Sequence, residues 1–303
     1  MIQVPDSFAR SAERRFGEAG REWVSALPEI LARCESRWRL TSCTPIADLS
    51  INLVYYATSR SHGDVVLKVL GPHSERDTEM YALEHYGGRR ACRCLADDHK
   101  LGVMLLERLR PGEQLRVLHD KDKRLAVGIE LVDDLPCPVT DNHPFPTYRE
   151  WLDRTFARAQ NHFTPLPEEP PLYDAAIDLY ERISDGPVRL LHGDLHHDNI
   201  LSCADGWKAI DPQGVVGPMV MECGRFIQNH DGGDEGLDIG AALRTAERMA
   251  GALLKPTHDV VAALFILHLL SGCWCREMSD PPETVARVVS ESSRLLQVIR
   301  RGV

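Results

Sequence analysis

The chain has 303 residues, with 35 Lys+Arg against 45 Asp+Glu, a formal net charge of −10 at pH 7. At roughly 100–200 residues per domain this is a two-domain length, and a composition of 43% hydrophobic and 26% charged residues argues against wholesale disorder. The acidic balance disfavours nucleic acid, whose phosphates need clustered Lys/Arg, and suits a neutral or cationic small partner.

The first twenty residues carry no apolar run of the secretory type, and Asp6, Glu13 and Glu18 interrupt the basic residues a transit peptide would need. Residues 7–38 place Phe8, Phe16, Trp23, Val24, Leu27, Ile30 and Leu31 at helical spacing, with Pro28 expected to start a second helical segment. Residues 51–56 and 65–70 are β-prone runs on either side of a turn at 61–64, which predicts two antiparallel strands. A helix is expected over 74–85, capped by Ser74, and another strand over 101–106, ending at Glu107.

Beyond Pro111-Gly112 the patterning is mostly helical, with helices expected near 113–134, 147–162, 172–184, 236–253, 256–276 and 282–300, and proline-rich loops at 136–146 and 165–171. The longest apolar stretch, 260–274, is broken by His268 and falls short of the ~20 residues that span a bilayer, so it reads as a buried helix. The nine cysteines are dispersed and odd in number, which points to reduced thiols. Cys92/Cys94 and Cys273/Cys275 lack the spacing of common zinc sites. The expectation is a cytoplasmic protein, off the membrane. Its fold class is α+β, with a small β-rich N-lobe over 1–110, a larger mainly helical C-lobe over 111–303, and a cleft between them.

The densest polar chemistry lies at 191–201, Leu-His-Gly-Asp-Leu-His-His-Asp-Asn-Ile-Leu, between two apolar stretches. Packing explains six such groups poorly, because each buried one needs a partner. After a turn at 204–206, a strand-like run ends at Asp211-Pro212, so Asp194, Asn199 and Asp211 can meet at the ends of a hairpin. Two metal-centred readings compete. In one, His192, Asp194, His196, His197 and Asp198 ligate a transition metal for hydrolysis. In the other, Asp194 accepts a proton from a substrate hydroxyl, while Asn199 and Asp211 hold Mg²⁺ on nucleotide phosphates. The spacing D-x-x-x-x-N followed by a strand-terminal Asp is the catalytic-loop arrangement of protein kinases.

His192-Gly193-Asp194-Leu195-His196 with Asn199 resembles the catalytic loop of aminoglycoside phosphotransferases, relatives of the protein kinases. The fuller match, HGDLHHDNIL at 192–201 and DGWKAIDPQGVVG at 205–217, is similar to the aminoglycoside/hydroxyurea resistance kinase branch, which includes streptomycin 6-phosphotransferase. The resemblance runs over roughly 40–300, with weaker support at 49–52, 66–69, 106–109 and 270–274.

That resemblance implies a two-lobed kinase-like fold and transfer of the γ-phosphate of ATP or GTP, with Mg²⁺, to a hydroxyl of a small acceptor. Streptomycin leads as acceptor, with hydroxyurea or another metabolite as the alternative. It makes Asp194 the base and Asn199 and Asp211 the metal ligands, and it makes Lys68 the phosphate lysine with Glu79 as its ion-pair partner. The segment 104–109, with Glu107 and Leu109, becomes the purine-binding hinge. No glycine-rich loop lies between Thr44 and Tyr56, so Ser50 and Asn52 are the phosphate-loop candidates. Asp211 is followed by Pro212-Gln213 rather than Phe-Gly, which implies a constitutively assembled site. His192 is read as structural, and His196 and His197 as loop anchors or acceptor contacts. Glu222 either meets a cationic acceptor or braces the catalytic loop, and Asp231 belongs to an acidic stretch suited to guanidinium groups. A nucleotide-binding pseudokinase and a metallohydrolase are the rival readings. Lys68, Asp194, Asn199 and Asp211 together argue against the pseudokinase.

Overall fold

In a computed structural model, the described residues are 2–46, 52–73, 76–183, 186–230, 236–278 and 280–302. The readings on Ser50, Ser74 and Asp231 lie outside them. The chain divides into two compact units, Met1–Gly112 with Ser202–Gly206, and Glu113–Leu201 with Trp207–Val303.

The first unit opens with helix α1, Asp6–Arg37, which runs on through Pro28. The expected break at Pro28 is therefore misplaced. The backbone turns at Gly17, at φ 59° and ψ −126°, a region that side chains beyond glycine rarely enter. Leu27 and Leu31, both fully buried, hold the helix together on either side of the proline. Trp23 clamps the two limbs by edge contacts to Phe8 and Phe16, with centroids 5.6 and 6.3 Å apart.

Five strands follow: β1 Leu40–Pro45, β2 Leu53–Ser59, β3 Gly63–Val69, β4 Cys94–Asp98 and β5 Val103–Glu107. They form one antiparallel sheet in the order β1-β2-β3-β5-β4. Alternation in β2 sends Leu53, Tyr55 and Ala57 inward with Val65, Leu67, Val69, Val103 and Leu105, and α1 covers this face. Helix α2, Arg76–Tyr86, sits between β3 and β4. The outer strands β1 and β4 escaped the pattern reading because their burial does not alternate cleanly.

The second unit is mainly helical: α3 Lys121–Asp134, α4 Tyr148–His162, α5 Glu169–Ile183, α6 Val220–His230, α7 Ile239–Leu253, α8 Thr257–Glu277 and α9 Pro282–Arg300. The helix expected from 113 begins only at Lys121, where the Asp120 carboxylate accepts the Asp122 and Lys123 N–H groups as an N-cap. Helix α5 starts three residues earlier than expected, because Pro170 and Pro171 occupy its first turn, where no N–H is required. Helix α6 was not anticipated. Helix α8 is long and apolar enough to cross a membrane by length and composition, and most of it is buried within the protein. It packs against α4, α5, α6, α7 and α9.

Short strands carry the polar cluster. β6 Arg189–Leu191 pairs with β9 Val215–Gly217, and β7 Ile200–Cys203 with β8 Gly206–Ala209. None of the nine cysteines is in a disulfide.

Candidate active site

The loop 192–199 hangs between β6 and β7, and its backbone is held from inside. His192 is fully buried; its Nε2–H donates to the Ile210 carbonyl at 2.8 Å, and its Nδ1 accepts the Asp194 N–H at 3.2 Å. Both ring nitrogens are thereby committed to backbone, which selects the neutral tautomer. Burial pushes its pKa down to about 4. The His192 carbonyl in turn accepts the Gln213 N–H at 2.8 Å, tying the loop to the segment after Asp211. This imidazole serves structure and does not ligate metal.

Gly193 takes φ +80°, and a Cβ there would lie 2.9 Å from Val215 and 3.1 Å from Trp151. Conformation and close approach both require glycine at that point. Its N–H donates to Glu222 Oε1 at 3.0 Å. Glu222 is fully buried, and burial raises its pKa to about 7 against the opposing pull of the Gly193 N–H. Of its two expected roles, the structure places this carboxylate on the loop backbone, away from the surface.

Asp194 is met by three groups. Arg225 Nε, on α6, donates to Oδ1 at 2.7 Å. The Asn199 amide nitrogen reaches the Asp194 carbonyl at 3.0 Å and Oδ2 at 3.3 Å, and His196 Nε2 stands 3.5 Å from Oδ2. Burial alone would raise the pKa of this carboxyl. Arg225 and His196 outweigh it and hold the group below the usual carboxylate range. Asp194 is thus a carboxylate throughout the neutral range.

The hairpin of β7 and β8 closes where the Ile210 N–H donates to the Asn199 carbonyl at 2.8 Å, so Asn199 and Asp211 flank one hairpin end, as the spacing predicted. Asp211 sits at φ 58°, in a left-handed region that Asp enters more readily than most residues. The Asn199 amide turns its nitrogen to Asp194. Its oxygen and the Asp211 carboxylate then form a hard oxygen donor set of the kind Mg²⁺ takes, so these residues fit that ion.

The remaining loop groups anchor it. His196 Nδ1 accepts the Asp198 N–H at 3.2 Å, and Asp198 receives Arg116 through both oxygens, at 2.5 and 2.6 Å. His197 is buried and stacks on Phe226 of α6 with ring centroids 4.4 Å apart. Among the residues expected to touch an acceptor, His196 therefore stays beside Asp194, and His197 and Glu222 face inward.

In the first unit, Lys68 Nζ and Glu79 Oε1 lie 2.5 Å apart, with both side chains buried. Asn52 Oδ1 accepts the Gly71 N–H at 3.0 Å and lies 3.1 Å from His73 Nε2, so this side chain supports the turn after β3. Glu107 belongs to β5, where its N–H donates to the Arg93 carbonyl and its Oε1 accepts the Arg93 N–H. The expected hinge segment is thus strand as far as Glu107. Leu109 lies beyond it, after Arg108, whose guanidinium sits 3.9 Å from the Tyr56 ring centroid.

Sequence reasoning missed Arg225 and Arg116. The signal for Arg225 was the run Val220, Met221, Cys223, Phe226, Ile227, whose buried faces mark an amphipathic helix and put Arg225 one turn from Glu222.

Residues 37–279 match the aminoglycoside/hydroxyurea antibiotic resistance kinase family. The chain is 30% identical over 233 residues to a streptomycin 6-kinase of Streptomyces griseus, covering 71% of each chain. It is 32% identical over 225 residues to a hydroxyurea phosphotransferase of Kitasatospora aureofaciens, covering 72% of this chain and 65% of that one. In fold it is similar to the choline kinase LicA from Streptococcus pneumoniae, with a TM-score of 0.66 at 13% identity over 90% of this chain and 99% of the other.

Proposed function

The chain belongs to the aminoglycoside/hydroxyurea antibiotic resistance kinase family, and from that premise we propose that it transfers the γ-phosphate of ATP to a hydroxyl of a cationic small molecule, with streptomycin at its 6-hydroxyl as the leading acceptor. The observation that carries the chemistry is Asp194, an ionised carboxylate fixed by Arg225 and Asn199 at the hairpin end that also bears Asp211. Asp194 orients the acceptor hydroxyl and takes its proton as the acceptor oxygen bonds to the γ-phosphorus and the bond to the departing ADP oxygen breaks. Asn199 and Asp211 would hold Mg²⁺, which when bound neutralises charge on the phosphates. Lys68, paired with Glu79, takes the part of the phosphate lysine that the family resemblance implies. His196, beside Asp194, is the residue of the loop best placed to contact the acceptor.

The test is a Mg²⁺-ATP phosphotransfer assay over streptomycin, other aminocyclitols and hydroxyurea. Label is expected on streptomycin, and Asp194→Asn is expected to lose about 10²–10⁴-fold in turnover with nucleotide affinity retained. Transfer to hydroxyurea alone would replace the acceptor and keep the chemistry. Undiminished turnover by Asp194→Asn would remove the base.

A further inference from the structure

Helix α8 is apolar from Val260 to Leu270 except for His268, whose side chain is buried. A titratable ring in such surroundings has to be answered by polar partners. Its partners belong to a chain of bonds that ends on Asp194. Glu291 of α9, itself buried, accepts from His268 Nε2 at 2.9 Å through Oε2, and from the Leu237 N–H at 3.2 Å through Oε1. His268 Nδ1 lies 3.4 Å from Gln228 Nε2 on α6. The same Gln228 nitrogen donates to Ser271 Oγ at 2.7 Å, and that hydroxyl donates to the His268 carbonyl, also at 2.7 Å. Gln228 Oε1 then accepts from Arg225 Nη1 at 3.1 Å, and Arg225 Nε reaches Asp194 at 2.7 Å.

The polarity of the chain is determined. Ser271 has spent its proton on the His268 carbonyl, so its oxygen needs a donor. Arg225 has only donors and needs an acceptor. One orientation of the Gln228 amide satisfies both, with nitrogen toward α8 and oxygen toward Arg225. Because Arg225 is gripped at Nη1 by Gln228, its Nε is aimed at one oxygen of Asp194. A long side chain without that second grip has several rotamers open to it, and each would release Asp194 from this contact.

We propose that Gln228 is a positioning residue for phosphoryl transfer: anchored by Ser271 and His268 and, through His268, by Glu291, it fixes Arg225 and thereby the carboxylate of Asp194. The proposal rests on Asp194 being the base. It also gives polar side chains of α8 and α9 a part in the site. Misplacement of reacting groups by about 1 Å costs on the order of 10²-fold in rate, so a freed Arg225 should cost kcat about tenfold or more while leaving nucleotide binding alone.

The test compares Gln228→Leu, which keeps bulk but removes the acceptor oxygen, with Gln228→Glu, which keeps it. Turnover is measured with whichever of streptomycin or hydroxyurea the wild type phosphorylates, and as acceptor-free hydrolysis of Mg²⁺-ATP if it takes neither. Gln228→Leu is expected to lower kcat about tenfold or more, with KM for ATP within about twofold, and Gln228→Glu, which keeps the oxygen on Arg225 but loses the N–H on Ser271, to recover part of the loss. A side chain that served only packing would lower Tm in both variants and leave kcat per folded molecule unchanged, and that result would overturn the proposal. Should Gln228→Leu not fold, Ser271→Ala loosens the same amide by one bond and is expected to lower kcat about threefold at unchanged KM for ATP. Unchanged kcat there overturns the proposal equally. Asp194→Asn is run alongside. If it retains turnover, the base assignment fails; if it is inactive while Gln228→Leu is not impaired, only the positioning role falls.

Discussion

The buried carboxyl of Glu222 leads to a pH-dependent stability that a single substitution should abolish. Its folded pKa is raised from 4.5 to about 7, chiefly by burial. Between those values the folded protein retains a proton that the unfolded chain has given up, so stability from this group falls as pH rises. The contribution is fully present below pH 4.5 and is lost as pH passes through about 7. At about 1.4 kcal/mol per pH unit the loss comes to about 3 kcal/mol. Glu222→Gln keeps an oxygen for the Gly193 N–H and has no charge to bury. Its stability should match the wild type within about 1 kcal/mol at pH 5 and exceed it by about 3 kcal/mol at pH 8. At about 2–4 °C per kcal/mol this is a Tm gap of about 6–12 °C, opening between pH 5 and 8. Thermal unfolding of both proteins across that range reads it directly, because every other titrating group cancels in the difference. A gap that stays constant with pH would show that Glu222 keeps an ordinary pKa, and the inward placement of its carboxylate would then lose its energetic support.

Lys68→Met leaves Glu79 buried beside an apolar side chain and should destabilise the first unit by about 3–5 kcal/mol, whereas Lys68→Met with Glu79→Leu should recover most of that stability. Phosphotransfer should stay low in both, so unfolding midpoints and KM for ATP together separate the lysine's structural role from the phosphate role proposed for it. Gly128→Ala on α3 would put a Cβ 2.1 Å from the Phe226 ring, the ring that carries His197. Overpacking of about 1–3 kcal/mol should exceed the gain of about 1 kcal/mol in helix propensity and lower Tm. Gly251→Ala on α7, where no atom lies within 4 Å, should instead raise Tm slightly. Equal responses at the two glycines would contradict the close approach of α3 to α6.

The parts of the fold legible from sequence were those with a strong local period. β2 and β3 alternate toward a covered face, and α4, α7 and α9 begin and end within a few residues of where their apolar spacing and flanking prolines put them. β1 and β4 lie at the sheet edges, where partial burial removes the alternation that marks a strand. The break in α1 was assigned to proline, the stronger breaker on paper. Proline restricts one φ, whereas a full reversal of backbone sign needs a residue tolerant of positive φ, and that residue was Gly17.

At the candidate site the division follows chain separation. Asp194, Asn199 and Asp211 fall within eighteen residues of one another, and a hairpin brings two of them together, so spacing alone predicts their meeting. Arg225, Gln228, His268 and Glu291 are scattered over residues 225–291 on three helices, and no local period couples them. Sequence registered only the odd member, a histidine interrupting an apolar run, without saying what it faced. Burying an imidazole and a carboxylate, and half-burying a carboxamide, in a helical core forgoes several apolar contacts and needs each hydrogen bond to be made. Such a chain fixes one relative setting of α6, α8 and α9, and that setting is what aims Arg225. The placement of Asp194 therefore depends on three helices as much as on its own loop, which is why the catalytic block can be read from ten residues and its precision cannot.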